Sequence, residues 1–214
     1  MAAAAHPPEI DNHTMKLIAG IIALSLGPLT SLFSRPDALT SISASYWAGG
    51  VSQIIFLGFL FATASFFLAY NGYSTREMVA SKGAAVSALG VALFPCGCDG
   101  HTVDIPYVHW ISAAVMFLIL AYFCYVFYGR AKAKGHAQAR ARAWIYLICG
   151  VVMVASIVTL ALNGLMKEDP EKTSSALVFY GEAAALIAFG VSWLTASRMV
   201  PGVTAENERI SLLR

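Results

Sequence analysis

Six long apolar runs constrain this chain more than any other feature of its sequence. Of its 214 residues, 58% are hydrophobic and 12% are charged, and the mean hydropathy is +0.67. Soluble domains carry about 25% charged residues, whereas about 20 consecutive apolar residues cross a membrane as a helix. The sequence therefore predicts an all-α, polytopic membrane protein built as a bundle of six transmembrane helices. The predicted spans are Met15–Phe33, Val51–Tyr70, Met78–Phe94, Tyr107–Tyr128, Ala143–Leu165 and Ala176–Ser197.

The connection between the fourth and fifth runs predicts the orientation. Residues 130–142 hold five Lys or Arg side chains and no acidic one, and such loops stay in the cytoplasm. Both termini then lie on the cytoplasmic side. This divides the chain into a short cytoplasmic segment (1–14), a six-helix transmembrane domain (15–197) and a cytoplasmic tail (198–214). The first run is expected to remain as a span, because no basic region followed by a cleavable apolar core precedes it.

The connection between the third and fourth runs holds most of the reactive side chains. Within a short segment broken by Gly and Pro it places two cysteines, two aspartates and two histidines: Cys96, Cys98, Asp99, His101, Asp104 and His109. The predicted topology puts this connection outside the membrane, on the side opposite the basic loop. The serine-rich segment that precedes the second run, with Ser43 and Tyr46, lies on the same side.

Glu182 is the most informative single residue, because it lies about five residues inside the sixth run. An ionised carboxylate costs about 2.5 kcal/mol or more at the centre of a membrane helix, so its side chain is expected to face the bundle and to have partners. At 1.5 Å per residue its depth would be about 8 Å, close to the level of His109. A Glu182–His109 contact is the pairing we predict.

These residues leave several kinds of site open. A ligand site would be formed by Ser43, Tyr46, Asp99, His109 and Glu182, with His101 and Asp104 in the same outward-facing cluster. A metal site for zinc or copper would draw on Cys96, Cys98, Asp99, His101, His109 and Glu182, which include N, O and S donors, although their spacing matches no established zinc motif. The Glu182–His109 pair would alternatively serve only to fix the bundle geometry.

The two loop cysteines have three readings of their own. In an oxidising compartment they would form a disulfide with each other or with distant partners. As free thiolates they would suit copper, and otherwise they are two small residues in a Gly-rich turn. For catalysis, Ser43 and His109 would make a nucleophile and base, but no Gly-x-Ser-x-Gly elbow surrounds the serine.

The order of these features resembles the damage-regulated autophagy modulator proteins, their relatives in GPI-anchor lipid remodelling, and uncharacterised bacterial six-span families. The resemblance rests on Pro36 followed by Ser41-Ile42-Ser43-Ala44, on His109 in Val108-His109-Trp110-Ile111, and on Glu182 in Tyr180-Gly181-Glu182-Ala183-Ala184. The segment from Cys96 to Gly100 departs from the eukaryotic members. The resemblance implies a six-span fold and a link to lipid organisation or lipid-anchor remodelling.

Three functions follow as hypotheses. In the first, the outward cluster binds a lipid headgroup or a small polar ligand, with membrane lipids as partners. The second is a metal-dependent intramembrane lipid hydrolase, with His101, His109 and either Asp99 or Glu182 as ligands; whether the chain is an enzyme is left open. The third is an accessory subunit of a larger membrane complex, or a homo-oligomer. Nothing in the charge pattern calls for a nucleic-acid partner, and the short connections favour a bacterial plasma membrane.

Overall fold

The computed structural model describes residues 12–34, 39–98, 100–105, 107–165 and 175–209, and every regular element in these ranges is a helix. Six long helices and one short one follow in order, and a 3-10 turn lies in the tail at Glu206–Glu208. The helices are α1 (Asn12–Phe33), α2 (Ser45–Ala48), α3 (Gly50–Ala69), α4 (Thr75–Leu93), α5 (Val108–Lys134), α6 (Ala137–Leu165) and α7 (Ser175–Ala196). The predicted all-α class is confirmed.

The predicted loop over residues 130–142 is wrong in its extent. Helix α5 continues to Lys134 and α6 begins at Ala137, so that only Gly135 and His136 connect them. Alanine, lysine, arginine and glutamine are strong helix formers, which extends both helices beyond their apolar parts. Gly135 ends α5 in the left-handed region, with φ of +77°, as is common after a helix C-terminus.

The six long helices form a closed ring in which each packs against its neighbours in the order α1, α3, α4, α5, α6, α7 and back to α1. Helices α1 and α7 meet through small residues. A Cβ atom added at Gly190 would lie 2.5 Å from Leu24 Cγ and 2.9 Å from the Gly20 carbonyl oxygen, so glycine is needed for this close approach. On α4, Ala84, Ala85 and Ala88 are fully buried, so this helix also packs against its neighbours through small residues.

An aromatic cluster fills one end of the ring. Trp193 of α7 is buried against rings from α3 and α5, with centroid distances of 5.1 Å to Phe67, 5.5 Å to Tyr70 and 5.8 Å to Phe123. This end also carries the α3–α4 and α5–α6 connections. We call it the basic end, after Lys134, Arg140 and Arg142. The opposite end, with the connections at residues 39–49 and 94–107, is called the loop end.

The outer surface of the ring indicates that this is an integral membrane protein. By length and composition, five helices in the described ranges are able to cross a membrane: α1, α3, α5, α6 and α7. Their exposed side chains include many large apolar ones, such as Ile54, Ile148 and Val158. Helix α4 is not among the five; it contains Arg76, Glu77 and Lys82 near its N-terminus.

Candidate functional site

Glu182 is a hydrogen-bond acceptor that ties α7 to the connection between α1 and α3. Its Oε2 accepts from the backbone N–H of Ile42 at 2.6 Å and of Ser43 at 3.1 Å, and its Oε1 accepts from Ser43 Oγ at 2.8 Å. The turn that offers these donors is closed by Ser41, whose Oγ accepts from the Ala44 N–H at 3.0 Å. Glu182 therefore has the partners that a carboxylate within an apolar run was expected to need, and Ser43 is one of them.

Three donors on one carboxylate explain how an acidic residue is accommodated within an apolar helix. Ile42 is buried, so its N–H would be left without water or protein partners if the carboxylate were absent. Hydrogen bonds to ionised groups are about twice as strong as neutral ones. The carboxylate therefore holds the turn at residues 41–44 against the loop end of α7, and we call these three hydrogen bonds the Glu182 clamp.

His109 does not pair with Glu182, and the predicted contact between them is wrong. The imidazole lies in the first turn of α5, where its Nδ1 is 2.8 Å from the carbonyl oxygen of Phe94, the residue that ends α4. Glu182 accepts its hydrogen bonds from the 41–44 turn instead. His109 therefore joins α5 to the end of α4, whereas Glu182 joins α7 to the connection between α1 and α3.

The other nitrogen of His109, Nε2, is buried and has no hydrogen-bond partner among the described residues. Buried polar side-chain atoms are nearly always hydrogen-bonded, and an exception calls for an explanation.

The backbone is also unusual two residues before His109. Tyr107 adopts a left-handed conformation with φ of 70°, which is uncommon for a residue other than glycine. A conformation of this kind occurs preferentially next to functional sites.

The 94–107 connection is fastened to α2 by Trp47. The indole Nε1 donates to the Cys96 carbonyl at 2.8 Å, and the ring stacks on His101 with centroids 4.3 Å apart. His101 Nδ1 is also 3.1 Å from the Cys98 carbonyl. Trp47 was not predicted as a site residue; its position in a polar connection, outside every span, was the available signal.

Cys96 and Cys98 form a disulfide with each other, so of the predicted alternatives the structure has the local one. The bond uses both thiols, which are therefore not metal ligands in this state. No group of three metal-ligating side chains occurs in the ranges that the structure covers. The predicted metal site is therefore not supported in these ranges. The His101 ring is exposed and stacks on Trp47, whereas His109 is buried and bonds to the Phe94 carbonyl.

The remaining predicted site residues have different positions. Tyr46 is half-buried, and its backbone carbonyl accepts from Gln53 Nε2 at 2.7 Å. Asp104 is exposed, and Asp99 lies outside the described residues. Ser45 is not among the predicted site residues, yet its Oγ, like Nε2 of His109, is buried without a hydrogen-bond partner in the described part of the chain. Ser45 is two residues from Trp47, which bonds to the Cys96 carbonyl, and His109 itself bonds to the Phe94 carbonyl.

A second polar cluster lies at the basic end, where Glu208 of the tail contacts the α5–α6 connection. Its carboxylate bonds to Lys134 and to Arg142 Nη2, the latter at 2.6 Å, and lies 3.6 Å from His136 Nε2. Partial burial raises the pKa of Glu208, but hydrogen bonds from Lys134 and Arg142 outweigh that effect and lower the pKa to about 2. Arg142 is buried and also donates to the Val203 carbonyl.

Helix α4 begins with a third polar contact. The Ser74 hydroxyl accepts from the Glu77 N–H and donates to its carboxylate, so the two residues cap the helix reciprocally. The buried Glu77 also forms an ion pair with Arg130 of α5. The spacing of Ser74 and Glu77 is a sequence signature of a helix N-terminus, whereas the sequence offered no signal for the Arg130 partner.

Comparison with known proteins adds no relative: no family model, curated protein or solved structure matches the chain. The resemblance to the damage-regulated autophagy modulator proteins and their relatives therefore stays a prediction.

Proposed function

We propose that this is a six-span membrane protein whose loop end binds a lipid headgroup or a small polar ligand that carries an N–H or O–H donor. The observation that carries the proposal is the buried Nε2 of His109, to which the described part of the chain supplies no hydrogen-bond partner. Glu182 and Ser43 have a supporting role, because they hold the turn at residues 41–44 in place.

The sixth span in this proposal is α4. Its 19 residues correspond to about 28 Å at 1.5 Å per residue, close to the hydrocarbon thickness of about 30 Å. Its charged residues lie within the first eight residues and have contacts suited to a membrane boundary. Glu77 pairs with Arg130, while Lys82 Nζ reaches the Leu68 carbonyl and Asn71 Oδ1 at the end of α3. A long cationic side chain that extends to the interface in this way lowers its cost.

The ligand type follows from the protonation of the imidazole. A carbonyl oxygen only accepts, so Nδ1 of His109 carries the hydrogen in its contact with Phe94. In the neutral ring Nε2 is then an acceptor, and the complementary group is a hydroxyl or an amine. Phosphatidylethanolamine has such a donor in its headgroup, whereas phosphatidylcholine does not.

The basic end is placed in the cytoplasm by the positive-inside rule, which directs the His109 site to the outer leaflet. A plasma membrane of bacterial type remains our prediction for the location. An accessory-subunit role also stays a prediction. Ligand binding is favoured over the accessory-subunit role because a ligand would give His109 Nε2 a hydrogen-bond partner.

The test compares His109→Asn with His109→Ala in purified, delipidated protein. Asparagine keeps a donor near the position of Nδ1 and so retains the Phe94 contact, but it lacks the Nε2 acceptor. Thermal stability would be measured with added phosphatidylethanolamine or phosphatidylcholine. We expect phosphatidylethanolamine to stabilise the wild type more, and His109→Asn to lose this difference while unfolding at a higher temperature than His109→Ala.

The proposal would be refuted by equal stabilisation of the wild type by the two lipids. It would also be refuted if His109→Asn kept the full preference for phosphatidylethanolamine. Ser112→Ala on the same helix serves as a control, because it alters a side chain near the loop end and leaves His109 intact.

A further inference from the structure

A groove on the outer surface between α4 and α5 is distinct from the site at the loop end. Its volume is about 460 Å³, and it is lined by Thr75, Arg76, Val79, Ala80 and Tyr122. The groove starts at the first turn of α4, which places it at the basic end. The surface that lines it is almost entirely apolar, so Arg76 and Thr75 contribute mainly carbon atoms to its walls, and it opens onto the surface that we expect to face lipid.

Arg76, unlike Arg130, Lys134 and Arg142, has no acidic partner in the described part of the chain. Its neighbour Glu77 is buried and bonds to Arg130. Successive helix residues project about 100° apart, so Arg76 stays exposed at the groove. Lys134 and Arg142, in contrast, share Glu208.

An exposed guanidinium at one end of an apolar groove matches the chemistry of an anionic phospholipid. Arginine binds phosphate oxygens through two parallel N–H donors. The apolar part of the groove fits an acyl chain that continues toward the middle of the membrane along Val79 and Ala80. A protein segment would need an acidic group and an apolar stretch at membrane depth, which a phospholipid has by its nature.

We propose that this groove binds an anionic phospholipid of the leaflet at the basic end, with the headgroup phosphate on Arg76 and an acyl chain between Ala80 and Tyr122. The role of this lipid is separate from that of the donor-bearing ligand at His109. The interaction of one arginine with an anionic membrane lipid is worth about 1 kcal/mol, which corresponds to about a fivefold change in affinity.

The experiment titrates delipidated wild-type protein with phosphatidylglycerol or phosphatidylcholine and counts bound lipids by native mass spectrometry. We expect tighter binding of phosphatidylglycerol, weakened about fivefold by Arg76→Gln. The matched control is Arg140→Gln, which removes the same charge from an exposed position at the basic end that does not line the groove. It should retain the wild-type affinity.

The acyl-chain part has its own variant. Ala80→Leu narrows the groove and leaves Arg76 in place, so it should weaken phosphatidylglycerol binding, whereas Val86→Leu enlarges an exposed side chain outside the groove and should not. A thermal unfolding measurement without lipid would confirm that each variant is folded.

Four results would overturn the proposal. The first is equal affinity of the wild type for the two lipids. The second is an equal loss in Arg140→Gln, which would indicate a diffuse basic surface. The third is displacement of the lipid by millimolar inorganic phosphate, and the fourth is unchanged binding by Ala80→Leu, because either would exclude a role for the groove. The His109→Asn variant should bind phosphatidylglycerol at this groove like the wild type.

Discussion

Replacement of Glu182 tests whether its hydrogen bonds hold the loop end of the bundle together. In Glu182→Ala the N–H groups of Ile42 and Ser43 and the Ser43 hydroxyl lose their common acceptor. A buried donor without a partner costs about 1–3 kcal/mol. Because the turn relaxes toward solvent in part, we expect the loss in unfolding free energy to be about 3–5 kcal/mol.

Two milder variants give the expected order of effects. In Glu182→Gln the amide oxygen still accepts from the two N–H groups but without charge assistance, so the loss should be about 1–2 kcal/mol. Ser43→Ala removes one of the three hydrogen bonds and should cost about 1 kcal/mol. Glu206→Gln changes an exposed carboxylate in the tail and should leave the stability unchanged.

The assay is unfolding in detergent micelles, followed by hydrogen exchange of residues 40–48. Exchange in this segment should rise most in Glu182→Ala, because its backbone amides are released from the carboxylate. If Glu182→Ala were no less stable than Ser43→Ala, and exchange at residues 40–48 stayed at the wild-type level, the clamp assigned to Glu182 would be refuted.

Three further predictions concern the packing and the ion pairs. Gly190→Ala should lose about 1–3 kcal/mol, because its Cβ would meet the α1 backbone, whereas Gly58→Ala, with open space at that position, should be neutral or slightly more stable in chemical unfolding. The pKa of Glu208 is lowered to about 2 from its ordinary 4.5. The ionised carboxylate therefore stabilises the fold by about 1–2 kcal/mol after solvent screening, and this stabilisation should be present above pH 4.5 and lost as the pH falls through 2. The difference in unfolding free energy between wild type and Glu208→Gln should vanish over that interval. Arg130→Met should cost about 2 kcal/mol because Glu77 loses its ion-pair partner, and addition of Glu77→Gln should recover part of the loss; equal stability of the single and double variants would contradict this.

Much of the fold was predictable because the free energy of transfer into a membrane depends on the local sequence. The spans predicted from Met15–Phe33 and Val51–Tyr70 differ from α1 and α3 by at most three residues at either end. The extent of the 130–142 connection was wrong because helix propensity, which is also local, outweighed the reading of charged residues as a loop.

Part of the site was also predictable. An acidic residue within an apolar run has to find donors, and this alone placed Glu182 among the polar groups of the loop end, where Ser43 proved to be its partner. The presence of Cys96 and Cys98 in one short turn left their state open, since a disulfide and two free thiols need the same sequence.

Only the tertiary structure decided which groups bond to one another. Glu182 and Ile42 are 140 residues apart, and their contact depends on how α7 packs beside α1. His109 bonds to Phe94 because the end of α4 lies beside the start of α5, and Glu208 reaches Arg142 because the tail folds back over the α5–α6 connection. Such choices rest on distances of a few ångströms between helix ends, whereas hydropathy and helix propensity are averages over a whole span and are unaffected by them.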